Sequence, residues 1–122
     1  MTTINSRIAA LDWALLSESL DTRGYALTPP LLGPDECAEL SACYDDAPRF
    51  RSTVIMARHG FGRGQYKYFS YPLPPVVETL RERLYPGLAT IANDWERRLG
   101  SDREWPLAHA QLRAQCLAAC RT

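Results

Sequence analysis

Apolar positions at helical spacing organise the first part of the chain. Asp12 is a fitting N-cap for a helix over Trp13 to about Thr22, in which Leu16 and Leu20 stand at i,i+4 and Gly24 supplies the stop. Tyr25-Ala26-Leu27-Thr28 then reads as a short strand closed by Pro29-Pro30. Pro34 at a first helical position, followed by Asp35 and Glu36, starts a second helix running to about Tyr44. Its apolar side is Cys37, Leu40 and Tyr44.

The pattern changes after Phe50. Arg51 to Ala57 and Gln65 to Tyr71 are β-prone, with Gly60, Gly62 and Gly64 between them, so a hairpin with a glycine-rich connection is predicted. Alternation puts Tyr66, Tyr68 and Ser70 on one face, and Gln65, Lys67, Phe69 and Tyr71 on the other. Tyr71-Pro72-Leu73-Pro74-Pro75 ends the hairpin in extended conformation. Helical spacing then resumes: Val76, Val77, Leu80 and Leu84 mark one helix, which Pro86 breaks or restarts. Leu88, Ile91, Ala92, Trp95 and Leu99 mark the next, and Pro106 opens a last helix carrying Leu107, Leu112, Cys116 and Leu117.

The predicted fold class is therefore α+β, mainly helical, with a short strand and a β-hairpin. Two or three strands are too few for a stable sheet unless helices cover them or more strands join. The expectation is that residues 1–122 form a single, incomplete domain, the opening part of a larger one.

Composition narrows the class without naming a function. A chain 46% hydrophobic and 23% charged is that of a soluble globular protein rather than a disordered tail. Its apolar runs are too short to cross a bilayer, and the N-terminus has no signal-peptide apolar region, so the expected location is cytoplasmic, with no membrane partner. Four cysteines stand at 37, 43, 116 and 120, without the close Cys-x-x-Cys pairs of a zinc site. Cys116 and Cys120 lie one helical turn apart, which leaves a metal geometrically open, but small apolar thiols account for them more simply.

Charge changes the picture more. Net charge is zero, yet Asp12 to Asp46 holds eight acidic residues against Arg23, and Arg49 to Val77 holds no acid. Arg49, Arg51, Arg58, Arg63 and Lys67 make that second stretch basic, and Phe50, Phe61, Tyr66, Tyr68, Phe69 and Tyr71 interleave it with aromatic rings. Positive charge with stacking surfaces is the combination that single-stranded nucleic acid favours. The competing reading is a hairpin with one packed aromatic face and one solvated basic face. The candidate contacts for substrate or nucleic acid are Arg49, Arg51, Arg58, Arg63, Lys67 and Tyr68.

Other motifs carry less. His59 and His109 lack a carboxylate two positions on, so neither begins the His-x-Asp or His-x-Glu of a non-haem iron site, and solvated or structural histidines are expected. The cluster His59-Gly60-Phe61-Gly62-Arg63-Gly64 has neither dinucleotide-binding nor P-loop spacing and reads as a loop between strands. Asp45-Asp46 suits a helix end or turn. No Ser or Cys has a recognisable nucleophile context.

The run Leu31-Leu32-Gly33-Pro34-Asp35-Glu36-Cys37-Ala38-Glu39-Leu40 resembles the opening segment of prolyl-hydroxylase-like 2-oxoglutarate/Fe(II) oxygenases. Phe50 to Val54, Met56-Ala57-Arg58-His59, Phe61-Gly62, Tyr66 to Phe69, Tyr71 to Pro74, Leu84-Tyr85-Pro86 and Ile91-Ala92-Asn93 add to the match. Together, from about Leu11 onward, they resemble a bacterial subfamily described as oxidatively demethylating damaged DNA. The resemblance implies a double-stranded β-helix, or jelly roll, that holds Fe(II) through His-x-Asp and a distant His, with a basic residue gripping 2-oxoglutarate. In that family the His-x-Asp follows the region resembled here. No catalytic, metal-binding or cofactor-binding residue is therefore carried onto this chain, and Fe(II) and 2-oxoglutarate are expected to belong to the parent enzyme. Its catalytic barrel is the implied partner. Two readings follow: the N-terminal support region of a dioxygenase acting on alkylated DNA or a prolyl-type substrate, inactive alone, or a stand-alone nucleic-acid-binding module using the hairpin over residues 49–71.

Overall fold

A computed structural model describes residues 3–119. Its order is α1 (Ile4–Ala9), α2 (Trp13–Arg23), α3 (Pro34–Cys43), β1 (Phe50–Ile55), β2 (Gln65–Phe69), α4 (Pro75–Arg98) and α5 (His109–Ala119). The class is α+β as expected, with one two-stranded antiparallel sheet and no closed barrel among the described residues. The chain divides into two units, residues 1–31 with 79–122, and residues 32–78.

The first unit is helical. Asp12 caps α2 as predicted, its Oδ1 accepting from the Leu15 N–H at 3.1 Å, and Gly24 ends the helix in the left-handed region at φ +79°. The helix α1 escaped the pattern because six residues hold too little periodicity; its cap is Thr3, whose Oγ1 accepts from the Ser6 N–H at 3.1 Å. Ile8, Leu11 and Leu16 form the buried centre, with Ile4, Trp13, Ala26, Leu31, Leu80 and Leu84 packed around it. Burying an aliphatic side chain of this size contributes about 1.5–3 kcal/mol. Arg7 donates to the Leu31 carbonyl at 2.7 Å and ties α1 to the segment after α2.

Three expectations are corrected here. Tyr25 to Thr28 is neither helix nor strand, since no second strand runs beside it to form a ladder. Pro86 neither breaks nor restarts a helix: α4 is continuous through it. A proline inside a helix costs about 3 kcal/mol, so packing on both sides must outweigh that loss. Residues on either side of Pro86 do pack, Leu80 and Leu84 at the core and Ala89 and Ile91 buried beyond it. The final helix starts at His109, three residues later than Pro106. Pro106 lies instead in a segment without regular secondary structure, where its carbonyl accepts from Tyr85 Oη at 2.6 Å.

That segment is fixed to α4 by a second contact. Asn93, 6% exposed, donates through Nδ2 to the Trp105 carbonyl at 2.9 Å and accepts the Trp105 N–H at Oδ1 at 2.6 Å. Tyr85, Ala89 and Asn93 stand at i, i+4 and i+8 and share one stripe of α4. Ala89, at 3% exposure, keeps that stripe shallow between the two polar anchors.

At the far end of α4, Asp21 on α2 accepts from Trp95 Nε1 at 2.7 Å and from Arg98 Nη2 at 2.9 Å, and Arg98 also pairs with Asp94 at 3.0 Å. The Arg98 and Trp95 donors hold the Asp21 carboxyl below its usual value near 3.8. A lowered folded-state value means that the stabilisation is present above the ordinary carboxylate range and is lost as pH falls through the folded value. The Asp21→Asn variant is therefore expected to melt a few degrees lower at neutral pH. Its deficit should shrink in thermal scans as pH falls below the ordinary carboxylate range and through the lowered Asp21 value. A constant deficit at every pH would show that this ion pair is not what joins the two helices.

The second unit contains α3 and the hairpin. Pro34 stands at the first helical position as predicted, and the Gly33 N–H donates to Glu36 Oε1 at 2.8 Å. On α3 the buried residue is Cys43, while Cys37 and Tyr44 are exposed and Leu40 is half-buried. The apolar side thus lies one position off the predicted stripe. Asp46 begins a 3-10 turn at Ala47–Arg49 that leads into β1, so the expected turn role of Asp45-Asp46 holds.

Candidate nucleic-acid interface

The hairpin is where the sequence-predicted contacts gather. Thr53 faces Lys67, Val54 faces Tyr66, Ile55 faces Gln65, Ser52 faces Tyr68 and Phe50 faces Phe69. The step from Phe50 to Ser52 is a bulge that leaves Arg51 without a cross-strand partner. Strand alternation therefore separates two sets of side chains, with Arg51 released at their margin.

One face is occupied. Phe50 and Phe69 stack at 4.9 Å, and Tyr44 meets Phe50 edge-on at 6.2 Å. Lys67 lies 4.0 Å above the Tyr44 ring and 5.3 Å from Phe50, and donates to the Tyr44 carbonyl at 2.6 Å. Tyr44 Oη in turn donates to the Gln65 carbonyl at 3.3 Å. Lys67 thus joins the end of α3 to the hairpin, and a hydrogen bond from a charged group is worth about 1.5–3 kcal/mol. Arg49 pairs with Asp46 at 3.0 Å, both side chains about half exposed, which offsets its charge locally.

The other face is open. Tyr66 and Tyr68 meet edge-on at 5.6 Å, and the Arg51 guanidinium lies 5.3 Å over the Tyr68 ring. The Tyr66 hydroxyl is raised above the usual phenol range, first by its hydrogen bond with Tyr68 and then by desolvation. The Tyr66 phenol consequently stays protonated and neutral at physiological pH, so it adds no negative charge to a basic surface. Arg58 lies in the 3-10 turn Met56–His59, and Arg63 in the glycine loop; both are exposed, as is Phe61. Gly60, Gly62 and Gly64 all take positive φ, from 72° to 100°, which explains why glycine recurs at every second position. The loop closes on itself through Met56 N–H to the Gly64 carbonyl at 2.9 Å and Phe61 N–H to the Met56 carbonyl at 3.2 Å.

Residues 64–122 match the model of a family described as "Oxygenase, catalysing oxidative methylation of damaged DNA". The C-terminal part of the chain is similar to an oxygenase family. Two uncharacterized proteins of Mycobacterium tuberculosis, from strains CDC 1551 / Oshkosh and ATCC 25618 / H37Rv, are each 41% identical over 77 residues. The alignment covers 61% of this chain and 33% of theirs, so the chain spans about a third of the length of the curated relatives it matches. No solved structure matches.

The segment similar to the oxygenase family takes in β2 with Tyr66 and Tyr68, the whole of α4, and the Asn93–Trp105 clamp. Of the six sequence-predicted contacts, the open face keeps Arg51 and Tyr68, the connecting loop displays Arg58 and Arg63, and Arg49 and Lys67 are engaged elsewhere. Tyr66 belongs with Tyr68, and the signal for it was the i,i+2 alternation. The clamp residues Asn93 and Tyr85 carry no comparable signal, because their partners are backbone groups of a distant segment.

Among the described residues no group of three or more His, Cys, Asp or Glu is placed to hold a metal ion. His59 is exposed, and His109 packs edge-on against Tyr85 at 5.7 Å. Cys116 is exposed, and Cys120 lies outside the described residues, so the pair at that turn is not defined. No helix among the described residues is long and apolar enough to cross a membrane.

Proposed function

We propose that this chain is the N-terminal support region of a 2-oxoglutarate/Fe(II) dioxygenase of prolyl-hydroxylase-like type, whose reaction removes methyl groups from alkylated DNA by oxidation. The match of residues 64–122 to a damaged-DNA oxygenase family carries the reading. The basic, aromatic hairpin favours DNA over a prolyl substrate, because a polyanion complements a stretch with five basic side chains and no acid. Fe(II) and 2-oxoglutarate would be held by a catalytic barrel outside these residues, and no step of the chemistry is assigned to side chains described here. The chain alone is a cytoplasmic support and substrate-contact element.

Two measurements test the proposal. The chain alone, given Fe(II), 2-oxoglutarate and a methylated oligonucleotide, is expected to release no succinate; clear turnover would overturn the support-region reading. The DNA immediately downstream of the coding segment is expected to encode, in frame or after a frameshift, a His-x-Asp and a later His. An unrelated gene there would favour a stand-alone nucleic-acid-binding module, for which the open hairpin face is the supporting observation.

A further inference from the structure

The two faces of the hairpin differ in a way that bears on which form of DNA would sit there. We propose that Tyr66 and Tyr68, with Arg51, form a stacking platform for unpaired bases, so that the chain binds single-stranded DNA in preference to duplex. This rests on the reading above that the substrate is DNA, and it adds the form that substrate takes.

The rings decide it. Tyr66 and Tyr68 are 44% and 45% exposed, so each leaves much of its surface to solvent. Their planes are 79° apart, and they do not cover one another as a face-to-face pair would. Residues two apart on a strand advance about 6.8 Å, twice the 3.4 Å spacing of charges along one strand of a stacked duplex. Bases lying on successive tyrosines would therefore be splayed from each other, which a duplex permits only by melting. A two-stranded ribbon can also enter a major groove, but it reads base edges there through hydrogen-bonding side chains. Here the open face presents Ser52, Val54, Tyr66 and Tyr68 beside Arg51, so two aromatic rings stand where edge-reading amide or carboxylate side chains would be needed. Aromatic rings flanked by cations are the arrangement that holds single strands without regard to sequence.

Charge sets the expected strength. Lys67 and Arg49 are committed to Tyr44 and Asp46, which leaves Arg51, Arg58 and Arg63 for phosphates. Three such contacts on a single strand give a log–log salt slope of about −2.

The test is fluorescence anisotropy of the full chain with a labelled oligothymidylate and with a duplex of equal length. Single strands should bind at least about tenfold more tightly, and Tyr66→Ala and Tyr68→Ala should each weaken that binding about tenfold. Tyr68→Phe keeps the ring and should stay within about twofold, as should Arg49→Gln. Circular dichroism of each variant separates lost binding from lost folding. Equal affinity for duplex, or unchanged binding by folded alanine variants, would overturn the platform. If Arg51→Gln and Arg63→Gln weaken both forms equally while the tyrosine variants do not, stacking fails and the DNA reading stands. If the downstream sequence lacks the iron motif while single strands still bind through the tyrosines, the oxygenase reading fails and the platform stands.

Discussion

Replacing Asn93 with alanine is expected to destabilise the helical unit by about 2–4 kcal/mol, the largest effect of any single polar side chain described here. Its amide makes two opposed hydrogen bonds to one residue, Nδ2 to the Trp105 carbonyl and Oδ1 from the Trp105 N–H. Truncation removes both bonds and leaves a backbone donor and acceptor facing a part-buried void. For a chain of this size that corresponds to a fall in Tm of roughly 10 °C. Thermal unfolding by circular dichroism measures it, and faster hydrogen exchange at the Trp105 amide locates it. Asn93→Asp refines the argument. A carboxylate can still accept the Trp105 N–H but opposes the carbonyl, whereas a protonated carboxyl can donate to it. The aspartate variant's deficit should therefore shrink as pH falls through the carboxylate range, and a deficit independent of pH would sink the two-bond account.

The second large effect is expected at Gly87, and there two terms of opposite sign compete. Glycine inside a helix costs about 1 kcal/mol relative to alanine, so Gly87→Ala should stabilise α4 on propensity alone. A Cβ at this position, however, would overlap the Trp13 indole at Cδ2, Cε2 and Cζ2, far inside van der Waals contact distance. The ring cannot swing aside freely because Trp13 also packs on Ile8, Leu11 and Leu16. Overpacking costs about 1–3 kcal/mol, so the clash should win and the variant should melt several degrees lower. The sign is the test. In a Trp13→Leu background the clash is relieved, and Gly87→Ala should become stabilising by about 1 kcal/mol. Destabilisation in both backgrounds would mean that something other than the indole requires glycine.

Much of the local structure was legible because it is determined by neighbours in sequence. Asp12 and Gly24 bound α2, Pro34 starts α3, and the β-prone runs around three glycines give the hairpin, all through interactions spanning a few residues. Where the outcome depended on distant partners, local pattern misled. Tyr25 to Thr28 has strand composition, but an extended segment becomes a strand only when another lies beside it. Pro86 has the chemistry of a helix breaker, yet its cost is outweighed by packing on both sides.

The candidate interface divides in the same way. The basic and aromatic character of residues 49–71 and the face assignment of Tyr66 and Tyr68 follow from residue type and a period of two, which are enough to establish a polyanion-compatible hairpin. Which of its cations are available was decided only by tertiary structure. Lys67 reaches a carbonyl at the end of α3, 23 positions away in sequence, and Arg51 is turned toward Tyr68 by a bulge that no composition encodes. The Asn93 and Tyr85 anchors likewise depend on a chain reversal that brings Trp105 and Pro106 back to α4. The physical reason is common to these cases: residue type fixes what a side chain can bond to, while the long-range course of the backbone decides which partner is within 3 Å.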